Sequence, residues 1–147
     1  MIQEYETSVA IDAPLDLVWA ALTDARSYRE WNEEIVGVDG TFASGARITA
    51  HVKLGNGAVR RVPQRVTVFE PPRSMVWVGG LPFGLFVGRR TFTVSPRGGG
   101  SEFTMHLHMS GPLAGMILKS VGDRQPEIDR FSRGLKSRAE ALRARAQ

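Results

Sequence analysis

The stretch from Gly111 to the C-terminus constrains this chain more than any other. Beyond a Ser110-Gly111-Pro112 turn, Leu113, Ile117, Val121, Ile128, Phe131, Leu135 and Leu142 recur at helical spacing, on one side of a single long helix. Lys119, Asp123, Asp129, Arg133, Lys136, Glu140 and Arg143 take the other side. An apolar stripe this long must be buried, and it needs a broad surface to lie on. The upstream chain reads as short strands and two small helices, so the expectation is one sheet wrapped against one helix. Wherever large side chains fall short between the two layers, a cavity results, and function is expected there.

The strand pattern supports this. Tyr5, Thr7, Val9 and Ile11 alternate with polar residues in a half-buried strand. Pro14 then opens a helix at its first position, with Asp16 in the first turn and Leu15, Val18, Trp19 and Leu22 as its apolar stripe. Asp24 is placed to cap a second short helix through Tyr28 to Trp31-Asn32. Strands follow over 35–38, 46–54 and 58–70, the last two joined by the Gly55-Asn56-Gly57 turn, with Pro63 marking an edge or bulge. After Pro71-Pro72 come strands over 75–78, 85–94 and 102–110, separated by an apolar loop from Gly79 to Gly84 and by Gly98-Gly99-Gly100.

Composition bounds the alternatives. The 147 residues suit a single ligand-binding domain over 1–147 with its own core. The sequence has no cysteine, which excludes disulfides, thiolate metal sites and a cysteine nucleophile, and fits a cytoplasmic location. No signal peptide is expected, nor any apolar run near the roughly 18–20 residues that span a bilayer. The net charge of +4 raises the question of nucleic acid, but the arginines are interleaved with acids and no aromatic-basic motif appears, so no nucleic-acid partner is expected.

Ile11-Asp12-Ala13-Pro14, Val18-Trp19, Leu22-Thr23-Asp24, Tyr28 and Trp31-Asn32 together resemble the N-terminal signature of the START-like, or SRPBCC helix-grip, superfamily. Within it the chain is most similar to the polyketide cyclase/dehydrase and lipid-transport group. Glu70-Pro71-Pro72-Arg73 before Val76-Trp77, Phe92 to Pro96, Ser110-Gly111 and Leu135 to Glu140 extend the resemblance over essentially the whole chain. It implies an α+β helix-grip fold: a curved seven-stranded antiparallel sheet around a long C-terminal helix, with two short helices after the first strand. It also implies an internal pocket for a hydrophobic small molecule such as a lipid, quinone or polyketide. A minority of such proteins catalyse cyclisation or dehydration there.

Alternation assigns the pocket lining. Phe103, Met105, Leu107 and Met109 of the last strand face the helix, and Phe86, Arg90 and Phe92 share a face of the sixth. Met75 and Trp77 line the fifth, Trp31 offers a flat surface, and Ile117 and Val121 look in from the helix. Related proteins often carry a polar residue where Met105 and Leu107 stand, and their apolar character argues for an apolar ligand over acid/base chemistry. Arg90 either reaches a carboxylate or enolate oxygen of a ligand, is rotated outward by a bulge, or is paired by an internal Glu or Asp. Pro126 should kink or break the helix, letting Arg124 extend outward. Tyr5, Tyr28, Asp16 and Glu34 read as isolated, so no catalytic residue is assigned. No cofactor is expected. His106 and His108 share a strand face without an evident third ligand, so no metal is expected either. The Leu81 to Phe86 segment is apolar enough to serve as a mouth, a transient membrane contact or a homodimer contact, the alternative state being a monomer.

Overall fold

The computed structural model describes residues 2–146. Its elements run β1 (Ile2–Ile11), α1 (Leu15–Thr23), α2 (Tyr28–Trp31), β2 (Ile35–Asp39), β3 (Arg47–Lys53), β4 (Val59–Glu70), β5 (Ser74–Leu81), β6 (Phe86–Arg97), β7 (Gly100–Ser110), α3 (Ala114–Val121) and α4 (Gln125–Ala146). The strands form one curved antiparallel sheet in the order β1-β7-β6-β5-β4-β3-β2. Every connection from β2 to β7 is therefore between neighbours. The exception is the segment from β1 to β2, which must pass from one edge of the sheet to the other, and α1 and α2 are that crossing.

Alternation decides which side chains enter the concavity. Phe103, Met105 and Leu107 of β7 are buried, while His106 and His108 take the other face of the strand. Against this surface α4 lays Ile128, Phe131, Leu135 and Ala139, all fully buried. Polar ties fix its position along β1: Thr7 Oγ1 lies 2.9 Å from Ser132 Oγ, and Lys136 Nζ donates to the Ala10 carbonyl at 3.0 Å. Large rings supplied by both layers fill the middle. Phe131 of α4 stacks on Phe103 at 5.9 Å and meets Phe92 at 5.7 Å, and Trp77 meets Phe92 at 4.8 Å and Phe42 at 5.4 Å. Each such ring contributes about 1.5–3 kcal/mol by leaving water.

The C-terminal stretch is two helices rather than one. Gly122 takes φ 80°, and its N–H donates to the Leu118 carbonyl at 2.8 Å, ending α3. Asp123 Oδ1 then accepts the Gln125 N–H at 3.0 Å, and the Arg124 carbonyl accepts the Ile128 N–H at 3.1 Å, starting α4. Pro126 lies in the first turn of α4, where its missing N–H costs nothing but where a continuous helix would need that donor.

Smaller differences have local causes. Pro14 is the N-cap of α1 and has extended backbone angles, one position earlier than expected. Asp24 makes no side-chain cap; its carbonyl instead accepts from Ser27 Oγ at 2.9 Å. Pro63 stands where β4 is paired to β3 alone, since the ladder to β5 begins at Arg65 and carries a bulge between Val66 and Val68. The expected loop from Gly79 is strand as far as Leu81, paired to Phe86, with a short 3-10 turn at Pro82–Gly84. No helix among the described residues is long and apolar enough to cross a membrane.

Candidate functional site

Because aromatic rings fill the centre of the sheet, open space is displaced to one end. There β5 and β6 carry Gly79, Gly80 and Gly88, and α3 stands over the strands as a roof. The result is a cavity of about 440 Å³, walled by Val52, Leu54, Val62, Leu107 and Met109 of the sheet side and by Ile117 and Val121 of α3. Leu81 and Phe86 also border it. This volume falls in the range that suits small-molecule ligands, roughly 300–1,000 Å³.

Its inner end is built on a buried carboxylate. Asn32 Oδ1 accepts the N–H groups of Glu34 at 3.0 Å and of Ile35 at 2.8 Å, fixing the backbone from which the fully buried Glu34 points inward. Arg90 of β6 meets that carboxylate with both terminal guanidinium nitrogens, Nη1 to Oε1 at 2.7 Å and Nη2 to Oε2 at 2.8 Å. Arg124, between α3 and α4, donates from Nη2 to the same Oε2 at 3.1 Å. Burial pushes the Glu34 carboxyl up, yet the charges and hydrogen bonds of Arg90 and Arg124 outweigh it and hold the group below the usual carboxylate range. The carboxylate is thus ionised and its lone pairs are engaged by the protein.

Tyr28 is another buried titratable group near the site. Its hydroxyl donates to the Leu22 carbonyl, and burial pushes its pKa well above the ordinary phenol range. Neither Glu34 nor Tyr28 is free to exchange a proton with a bound molecule. Among the described residues no cluster of three His, Cys, Asp or Glu side chains is placed to hold a metal.

The family model described as polyketide cyclase / dehydrase and lipid transport matches residues 3–140. The chain belongs to that family. A search of curated proteins finds no match to this polyketide cyclase/dehydrase and lipid-transport family member. Solved structures share its fold. A START superfamily protein from Mycobacterium smegmatis superposes with a TM-score of 0.72 at 16% identity, covering 95% of this chain and 98% of that one. A protein from Mesorhizobium loti gives 0.72 at 22% identity, again over 95% and 98%. The di-domain ARO/CYC BexL from the BE-7585A biosynthetic pathway gives 0.66 at 14% identity, over 95% of this chain but 49% of that one. This family member therefore spans about half of the di-domain protein.

Of the residues expected to line the pocket, Phe86, Arg90, Leu107, Met109, Ile117 and Val121 border the cavity of this family member. Met75, Trp77, Phe92, Phe103 and Met105 do not: they are fully buried, packed into the core that closes the centre of the grip. Trp31 is also displaced from the cavity, edge-on to Phe131 at 5.6 Å and bonded through Nε1 to Ser27 Oγ at 3.1 Å. Two readings are corrected. Arg124 does not extend outward but is 3% exposed and faces Glu34, because the break in the helix turns it inward rather than releasing it. Glu34 is not isolated but is the internal acid that pairs Arg90. The signal was present in the requirement that an inward arginine have a counter-charge, and Asn32-Glu33-Glu34, just before β2, offered one.

Proposed function

We propose that this protein binds a hydrophobic small molecule in the cavity between α3 and the adjoining end of the sheet, without turning it over. The carrying observation is the cavity itself: about 440 Å³ with predominantly aliphatic and aromatic walls, in a protein whose remaining concavity is filled. Transfer of apolar ligand surface out of water would supply roughly 25 cal/mol per Å² buried. Family membership supports the same class of occupant. A polyketide-type cyclase or dehydratase is the alternative activity of this fold, and it would need a proton donor or acceptor at the cavity wall. The described lining residues include no Asp, Glu, His or Tyr, and Glu34 behind them is held by two arginines, which favours binding over turnover.

Native mass spectrometry of the purified protein, followed by denaturing extraction, tests this reading. A one-to-one complex with an apolar molecule, or formation of one on exposure to lipids and quinones, is the expected result. Failure to load any apolar molecule, together with cyclisation of a poly-β-ketone substrate by the wild type, would replace it with the enzymatic reading.

A further inference from the structure

The cavity is apolar in its walls but not neutral. Four of its lining residues are arginines and none is acidic. Arg60 and Arg61 are exposed and screened by solvent, so they contribute little to what a bound molecule meets inside. Arg90 and Arg124 are different: their side chains are 11% and 4% exposed, and they share one carboxylate. Two guanidiniums against Glu34 leave one positive charge uncompensated at the inner end of the cavity.

The hydrogen bonding is uncompensated in the same place. Glu34 gives both oxygens to Arg90 and one of them also to Arg124 Nη2. Arg124 Nη1 is buried and has no partner among the described residues. A buried donor on a charged group is costly to leave unmade, and a guanidinium presents its donors in a planar fork suited to a carboxylate.

We propose that the ligand is an apolar molecule ending in a single carboxylate, drawn to the Arg90 and Arg124 guanidiniums that line the inner end of the cavity, with its hydrocarbon part under Ile117 and Val121. This deepens the hydrophobic-ligand reading and rests on it. Glu34 becomes the element that sets the charge of the site: it neutralises one arginine and leaves the other for the ligand, so a monoanion completes the balance where a neutral molecule does not.

The test compares decanoic acid, methyl decanoate and decanol by isothermal titration calorimetry on the wild-type chain and on Arg124→Met. Wild type is expected to bind decanoate at least about tenfold more tightly than the ester or the alcohol, as a charged hydrogen bond would give. In Arg124→Met that preference should collapse to near unity while ester binding persists. Ile117→Glu, which adds a carboxylate to the roof and leaves the Glu34 cluster intact, should also lower the acid-to-ester ratio and serves if Arg124→Met does not fold. Equal binding of acid, ester and alcohol to wild type overturns the carboxylate and leaves the hydrophobic-ligand reading standing. Binding of none of the three overturns both.

Discussion

Arg90 and Glu34, 56 residues apart in sequence, meet in a two-pronged ion pair inside the protein, with nitrogen-to-oxygen distances of 2.7 and 2.8 Å. The pair links the middle of β6 to the turn before β2, and Arg124 adds the junction of α3 and α4. Three segments distant in the chain are therefore held by one carboxylate. Glu34→Gln would leave two buried guanidiniums without a counter-charge and is expected to destabilise the fold by about 3–5 kcal/mol, read from urea unfolding at neutral pH.

The same carboxylate predicts a pH dependence. Its folded pKa is depressed, so the stability it supplies is fully present above the ordinary carboxylate value near 4.5 and is lost as pH falls through the folded value. Below pH 4.5 the unfolded chain takes up a proton that the folded protein resists. Urea midpoints measured from pH 7 down to pH 3 should fall more steeply for wild type than for Glu34→Gln, where this proton uptake is missing. Parallel slopes would show that Glu34 is not the group responsible.

Core and cavity should respond differently to truncation. Phe131→Ala removes a ring that touches Tyr28, Trp31, Phe92 and Phe103, and is expected to cost about 3–5 kcal/mol. Ile117→Ala enlarges a space that already exists and should cost about 1 kcal/mol or less. Its effect should appear instead in ligand affinity, measured by calorimetry.

Gly134 reverses the usual helix rule. Mid-helix glycine is ordinarily about 1 kcal/mol worse than alanine, so the substitution would be expected to stabilise α4. A Cβ there would lie 2.5 Å from the Trp31 carbonyl oxygen, where α4 crosses α2. Gly134→Ala is therefore expected to destabilise by about 1–3 kcal/mol, visible as a lowered Tm.

Phe83 is 98% exposed with φ 60°, between Leu81 and Phe86 at the border of the cavity. Nothing in the fold needs its ring, so Phe83→Ser should leave unfolding within about 0.5 kcal/mol of wild type. If the segment forms the mouth, stopped-flow transfer of a fluorescent fatty acid to vesicles should change in rate. Unchanged transfer would count against a mouth at this segment.

The elements were legible where burial has a simple period. The alternation in β7 and the stripe Ile128, Phe131, Leu135 of α4 specify their faces locally, and the structure follows them. The cavity was less legible, because its position depends on which rings from distant strands happen to meet. Trp77, Phe92 and Phe103 carry the same alternation as Leu107, yet Phe92 and Phe103 close against Phe131 and Trp77 against Phe92 and Phe42, and the end lined by glycines stays open. Arg124 was misread for a related reason. A broken helix fixes that register is lost but not the direction in which the next side chain leaves, and that direction is set by Glu34, ninety residues away.

The break between α3 and α4 separates two tasks that one continuous helix would have joined. Helix α4 carries the rings and aliphatic groups on which folding depends, whereas α3 is tied to the rest by the Leu113 N–H just before it, donating to the Leu85 carbonyl at 2.9 Å, by Arg60 Nη2 donating to Ser120 Oγ at 3.3 Å and by its junction at Arg124. Substitutions along α3 can thus reshape the cavity without passing through the folding core. A lineage with this arrangement can alter the cavity in small steps, each of them survivable, because changes to the cavity wall and changes to the scaffold fall on different helices.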